Sequence, residues 1–159
     1  MNSETLLYPL PAFHFSVSFE RLMPAAIPDL RFQEVSGLAA ELTTEEMAEG
    51  GENGFVYKIP VRTKFPNLTL KRGLSLAPSG LTKWAEDAIY HFDIKPSNVQ
   101  VLLLNEKHLP VCAWVFKSAY PVKISVSDFN AQNNAIVIET FELAYQSSYK
   151  ISPSSIPGL

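Results

Sequence analysis

The chain has 159 residues, 47% of them apolar, and a formal net charge of −3. That length suits a single domain (1–159) with one continuous core, and the composition excludes a disordered chain. The mildly acidic balance argues against a general nucleic-acid binder, and no run of about 18 uncharged apolar residues is present to span a membrane.

The opening "MNSETLLYPLP" has an acid where a signal peptide carries lysine or arginine, and its prolines break the apolar run. A cytosolic site of synthesis is therefore expected, without membrane insertion. The one cysteine, Cys112, cannot form an internal disulfide and reads as a small core residue within "LPVCAWVF".

The first predicted element is "AFHFSVSFE", where Phe13, Phe15, Val17 and Phe19 alternate with polar residues as in a half-buried strand. "RLMPAAIPDL" holds two prolines and reads as an irregular connection. Val35 and the internal Gly37 make "RFQEVSGLAAEL" a strand with a bulge or bend. "FVYKIPV" and "NLTLKRGL" follow as short strands. "PSGLTKWAEDAIYHF" is the one helix, with Ser79 as N-cap and Leu81, Trp84, Ala85, Ala88, Ile89 and Phe92 on one apolar stripe. "VQVLLLN" and "PVCAWVFKSAYPVKISV" form a hairpin around Glu106 to His108. After the turn "DFNAQNN", "AIVIETFELAYQ" reads as a long final strand buried on both sides. The expected fold is mainly β: an antiparallel barrel or two-sheet sandwich of about seven strands with one flanking helix. Its core spans about 13–146, with mobile segments at 1–11 and 147–159.

No pattern of catalytic or metal-ligating residues emerges. His14, His91 and His108 fall on separate elements, far from the spacing of a zinc site. His91 beside Asp93 reads as a solvated helix end. Gly50, Gly51 and Gly54 do not form a dinucleotide fingerprint, and the acidic stretch lacks the ligand order of a calcium loop. Neither a cofactor nor an enzymatic activity is expected.

Charge, in contrast, is sorted along the chain. Phe32 to Glu52 contains Glu34, Glu41, Glu45, Glu46, Glu49 and Glu52 and no base; Asn53 to Ala85 contains Lys58, Arg62, Lys64, Lys71, Arg72 and Lys83 and no acid. Two arrangements fit this order. The blocks could be adjacent strands of one molecule with cross-strand ion pairs. Alternatively, an acidic arm spanning Ala40 to Gly54, with Gly50, Gly51 and Gly54 at its tip, reaches a basic patch of Lys58, Arg62, Lys64, Lys71 and Arg72 on a neighbouring copy. Such a heterologous contact generates rings or open stacks.

"FQEVSGL", the acidic "EEMAEGGEN", "KIPVRTKFPNLTLKRGL", "LTKWAEDA" and "AYPVKISVSDFNAQNNAIVIETFELAYQ", in that order, resemble the tail-tube family of contractile phage tails and extracellular contractile injection systems. The likeness covers roughly Phe13 to Gln146, with Val137 a conservative departure. It implies a β-barrel or sandwich whose copies form hexameric rings, stacked into a tube inside a contractile sheath. The implied partners are the chain itself, the sheath, baseplate, spike and terminator proteins, and cargo, either DNA or a protein toxin. The implied location is a phage tail or a released injection particle. The family's long early loop makes contacts within and between rings, which selects the docking-arm arrangement. A baseplate-proximal initiator or adaptor ring is the nearest alternative, and a small-ligand-binding barrel a distant one.

Overall fold

A computed structural model describes residues 14–22, 32–48, 50–51, 54–77, 79–129 and 136–151. Nine strands and one α-helix occur among them, two strands more than the sequence patterning suggests. The strands are β1 (His14–Phe19), β2 (Glu34–Ser36), β3 (Glu41–Met47), β4 (Tyr57–Lys64) and β5 (Leu68–Gly73). After the helix α1 (Gly80–Tyr90) come β6 (Ser97–Leu104), β7 (Pro110–Val126), β8 (Ile138–Ala144) and β9 (Ser147–Ile151).

The 17-residue β7 organises the body. Its first half pairs with β6 on one edge and with β9 on the other. Its second half, from Tyr120, pairs with β8. The bend between the halves falls around Ser118, whose φ is 52° and whose N–H donates to Asn98 Oδ1 at 3.2 Å. Two layers sharing one strand result. The first runs β1-β6-β7-β9 and the second β7-β8-β5-β2, every pairing antiparallel. The mainly β, sandwich-like architecture with one flanking helix agrees with the sequence expectation.

Alternation explains why these segments meet face to face. Val17 and Phe19 from β1, Val99 and Val101 from β6, and Phe116 from β7 point inward from the first layer. Leu68 and Leu70 from β5 and Phe141 and Leu143 from β8 meet them from the second. Each fully buried side chain of this size contributes roughly 1.5–3 kcal/mol.

Helix α1 adds Leu81, Trp84 and Ala85 to that core and lies against β7. Ser79 caps it as expected, its Oγ accepting from Thr82 N–H at 3.1 Å. We expect Ser79→Ala to lower stability by about 1 kcal/mol, measured by urea unfolding. The apolar stripe is shorter than expected. The helix stops at Tyr90, and Phe92, with φ of 55°, turns its ring into solvent.

Two further expectations are corrected. The final strand is buried on one face only: Glu139, Phe141 and Leu143 point inward while Thr140 and Glu142 are partly open. The C-terminal segment expected to be mobile begins with β9, held by backbone pairing to β7 from Ala113 to Lys117. The turn "DFNAQNN" continues into residues 130–135, and the terminal segments 1–13 and 152–159 also lie outside the described residues.

A candidate assembly interface

The two oppositely charged blocks fold together as a two-stranded ribbon. β3 pairs only with β4 among the described strands, placing Glu41 opposite Lys64, Thr43 opposite Arg62 and Glu46 opposite Lys58. Glu41 to Met47 of the acidic segment is therefore a strand. Its complement Lys58, Arg62 and Lys64 belongs to the neighbouring strand of the same chain. A bulge between Thr43 and Thr44 shifts the register, and Thr43 Oγ1 donates to the Arg62 carbonyl at 2.8 Å. Cross-strand ion pairs do not accompany the pairing: among the described residues none joins β3 to β4.

Glycines mark both ends of the ribbon. Gly50 and Gly51 form the turn beyond β3, and Gly51 has φ of 103°, a conformation that side chains resist. Gly54 is exposed in the return. Glu49 and Glu52 lie outside the described residues. At the base, Gly37 has φ of 88° and sits against the carbonyl of Asn67 on the other leg.

Every residue of β4 is exposed, and in β3 only Thr43 is half-buried, so neither face of the ribbon rests on the body. Its apolar content is nonetheless high. Leu42, Met47, Phe55, Val56, Tyr57, Ile59 and Val61 each expose 41–57% of their surface. Phe55 and Tyr57 stack edge to face at 5.0 Å. Met47, Tyr57 and Ile59 stand on one face by register, and Leu42 on the other. A lone two-stranded ribbon is marginal in water, and contiguous exposed apolar surface marks an interaction site. Covering these half-exposed side chains is worth roughly 1 kcal/mol each.

The remaining two members of the expected basic patch each pair with a carboxylate of their own chain, Lys71 at the surface and Arg72 in the interior. Lys71 Nζ donates to both carboxylate oxygens of Glu34 on the adjacent strand, at 2.9 and 3.0 Å. Arg72 is 2% exposed, and its Nε donates to Glu139 Oε2 at 2.9 Å. Its Nη2 also donates to Ser79 Oγ at 2.9 Å and to Thr82 Oγ1 at 2.8 Å, and its guanidinium lies 5.0 Å from the Phe141 ring centre. Arg72 and Glu139 thus pin the start of α1 to β5 and β8, a role that charge order along the sequence does not reveal. Alternation does reveal it: Leu68, Leu70 and Arg72 share one face of β5, and Glu139, Phe141 and Leu143 share one face of β8. Cys112 is buried, as expected, and His91 is the exposed C-cap of α1.

No curated protein matches the chain. Among solved structures, a chain of the anti-feeding prophage baseplate is 29% identical, with TM-score 0.77 over 92% of this chain and 99% of that one. A chain of the PVC sheath–tube complex in the extended state, an extracellular contractile injection system, is 22% identical with TM-score 0.77, covering 96% and 99%. Hcp1 from Flavobacterium johnsoniae has a similar fold at 16% identity and TM-score 0.56, covering 87% and 94%. Residues 11–148 match the model of the family described as T4-like virus tail tube protein gp19, and the chain belongs to that family.

Proposed function

We propose that this chain is the structural subunit of the inner tube of a contractile injection system or phage tail. Copies form hexameric rings that stack into a conduit, and shortening of a surrounding sheath drives the conduit forward with DNA or protein cargo. Spike and baseplate bound one end and a terminator the other, so the mature location is the particle. The role is mechanical and needs no catalytic turnover.

The observation that carries this reading is the β3–β4 ribbon, which projects with apolar side chains on both faces and both signs of charge along its length. A permanent assembly typically buries more than about 2,000 Å² per interface, and the ribbon offers a surface that gains by being covered. The docking element is the whole ribbon. Glu41, Glu45, Glu46, Lys58, Arg62 and Lys64 set its orientation on neighbouring copies, and the apolar residues supply the affinity.

Replacing Met47, Tyr57 and Ile59 together by serine tests this directly. The variant should keep its circular dichroism and melt within a few degrees of the parent, because exposed positions contribute little to the fold. Negative-stain images should show rings or tubes for the parent and none for the variant. A variant that assembles normally would sink the reading, as would a parent that stays solitary when supplied with sheath and baseplate.

A second reading, a baseplate-proximal ring joining spike to tube, draws support from the higher identity to the baseplate chain than to the sheath–tube chain. The same images separate the two. A shaft subunit grows into long filaments, whereas an adaptor stops at single rings.

A further inference from the structure

Each strand of the β3–β4 ribbon has a single partner among the described residues, so each leaves one edge of backbone N–H and C=O groups open. Such an edge is a template for the addition of another strand. Through "FVYKIPV", β4 and the residues before it expose Phe55, Val56, Tyr57, Ile59 and Val61. A run of about six or seven residues with that β-propensity and little charge is the signature of a segment that stacks edge to edge, provided it holds no proline. This one holds Pro60, in the middle of the eight-residue β4.

The charges of the ribbon say which addition Pro60 opposes. β3 carries Glu41, Glu45 and Glu46 and no base, and β4 carries Lys58, Arg62 and Lys64 and no acid. Two β3 edges repel each other, as do two β4 edges. The unlike pairing, β3 of one copy beside β4 of the next, is attractive, and being head-to-tail it can repeat into an open sheet. Pro60 stands opposite Thr44 in the ribbon, and a proline is tolerated in a strand where its nitrogen points away from the ladder. The nitrogen without a hydrogen therefore faces the open edge, where an added strand needs a donor. Beside it Val61 has no partner between Pro60 and Arg62, and this bulge bends the same edge.

We infer that Pro60 is a specificity-determining residue of assembly: it closes the β4 edge to strand addition, so that a neighbouring copy is met by the ribbon's faces and not by its edge. The inference rests on the tube reading above for the identity of the partner, a second copy of this chain. With the edge closed, Met47, Tyr57 and Ile59 on one face and Leu42 on the other remain for docking. Attraction between unlike legs then orients the copies without fusing their ribbons into one sheet.

Pro60→Thr restores the N–H at an exposed position and adds little apolar surface. Purified without sheath or baseplate, this variant should form thioflavin-positive open sheets at least about tenfold faster than the parent, and raised salt should slow it because the attraction lies between exposed charges. Thr63→Val, which adds apolar surface to β4 but no donor, should behave as the parent. Adding Glu45→Lys and Glu46→Lys to Pro60→Thr makes β3 net basic like β4, and should restore the parent's rate. That rescue excludes misfolding as the cause, since reversing two exposed charges does not repair a fold. Pro60→Thr aggregating no faster than the parent, Thr63→Val aggregating as fast as Pro60→Thr, or a triple variant that aggregates undiminished would each overturn the inference. These rates are read on unassembled protein, so a parent that forms no tube with sheath and baseplate counts against the tube reading alone.

Discussion

Replacing Glu139 with alanine is expected to destabilise the unassembled protein by about 3–5 kcal/mol, lowering its melting temperature by roughly 10 °C or more. The cause is the partner left behind. Arg72 is 2% exposed, so removing the carboxylate at 2.9 Å leaves a buried guanidinium charge that hydroxyl oxygens cannot neutralise. Ser79 and Thr82 accept from the same guanidinium, so the loss reaches the first turn of α1 and the seat of Leu81 against the core. Replacing Arg72 and Glu139 together by leucine removes both charges from the interior. That double variant should recover most of the lost stability while leaving the helix start less firmly held. Chemical denaturation of the three proteins measures the first effect. Amide exchange over residues 80–85 measures the second. If Glu139→Ala melts with the parent, the pair is not the pin described here.

The layers and the helix were legible because their residues repeat with a clear period. β1, β5 and β8 show period-two alternation, and α1 shows an apolar stripe behind a serine cap. The same alternation carried information that charge order obscured. Arg72 shares a face with Leu68 and Leu70, yet as one of six consecutive bases it reads as part of a surface patch. β3 and β4 were harder for a physical reason. A strand pair exposed on both faces is under no pressure to alternate, so "ELTTEEM" resembles a charged loop and only the partner strand defines it. β9 is similar: "SSYKI" is short and polar, and its conformation comes from backbone pairing to β7. The candidate interface was thus half visible. The sequence singles out the segment and its glycines, whereas the pairing within one chain and the apolar residues of the ribbon appear only once the register is known.

Gly37→Ala is expected to lower stability by about 3 kcal/mol and to block assembly together with it. Gly37 lies between β2 and β3, and Asn67 between β4 and β5, so the two residues face each other where both legs of the ribbon leave the body. A Cβ built on Gly37 falls far inside the van der Waals radius of the Asn67 carbonyl oxygen, with the start of β5 close behind. That obstacle is backbone and cannot rotate away. The φ of 88° adds a strain of about 1–3 kcal/mol for any residue that carries a side chain. Relief requires the two legs to part, which tilts the ribbon relative to the second layer and disturbs the pairing of Glu34 to Ser36 with β5. A docking element must meet its neighbour at a set angle, so even a variant that survives folding should present the ribbon wrongly. Gly50→Ala is the matched control, because nothing lies within 4 Å of a Cβ at that position. Urea titration of both variants, with negative-stain imaging of each, gives the result. Gly50→Ala should fold and assemble like the parent, and Gly37→Ala should do neither fully. Equal stability and equal tube formation in the two would show that the ribbon's base does not fix its direction.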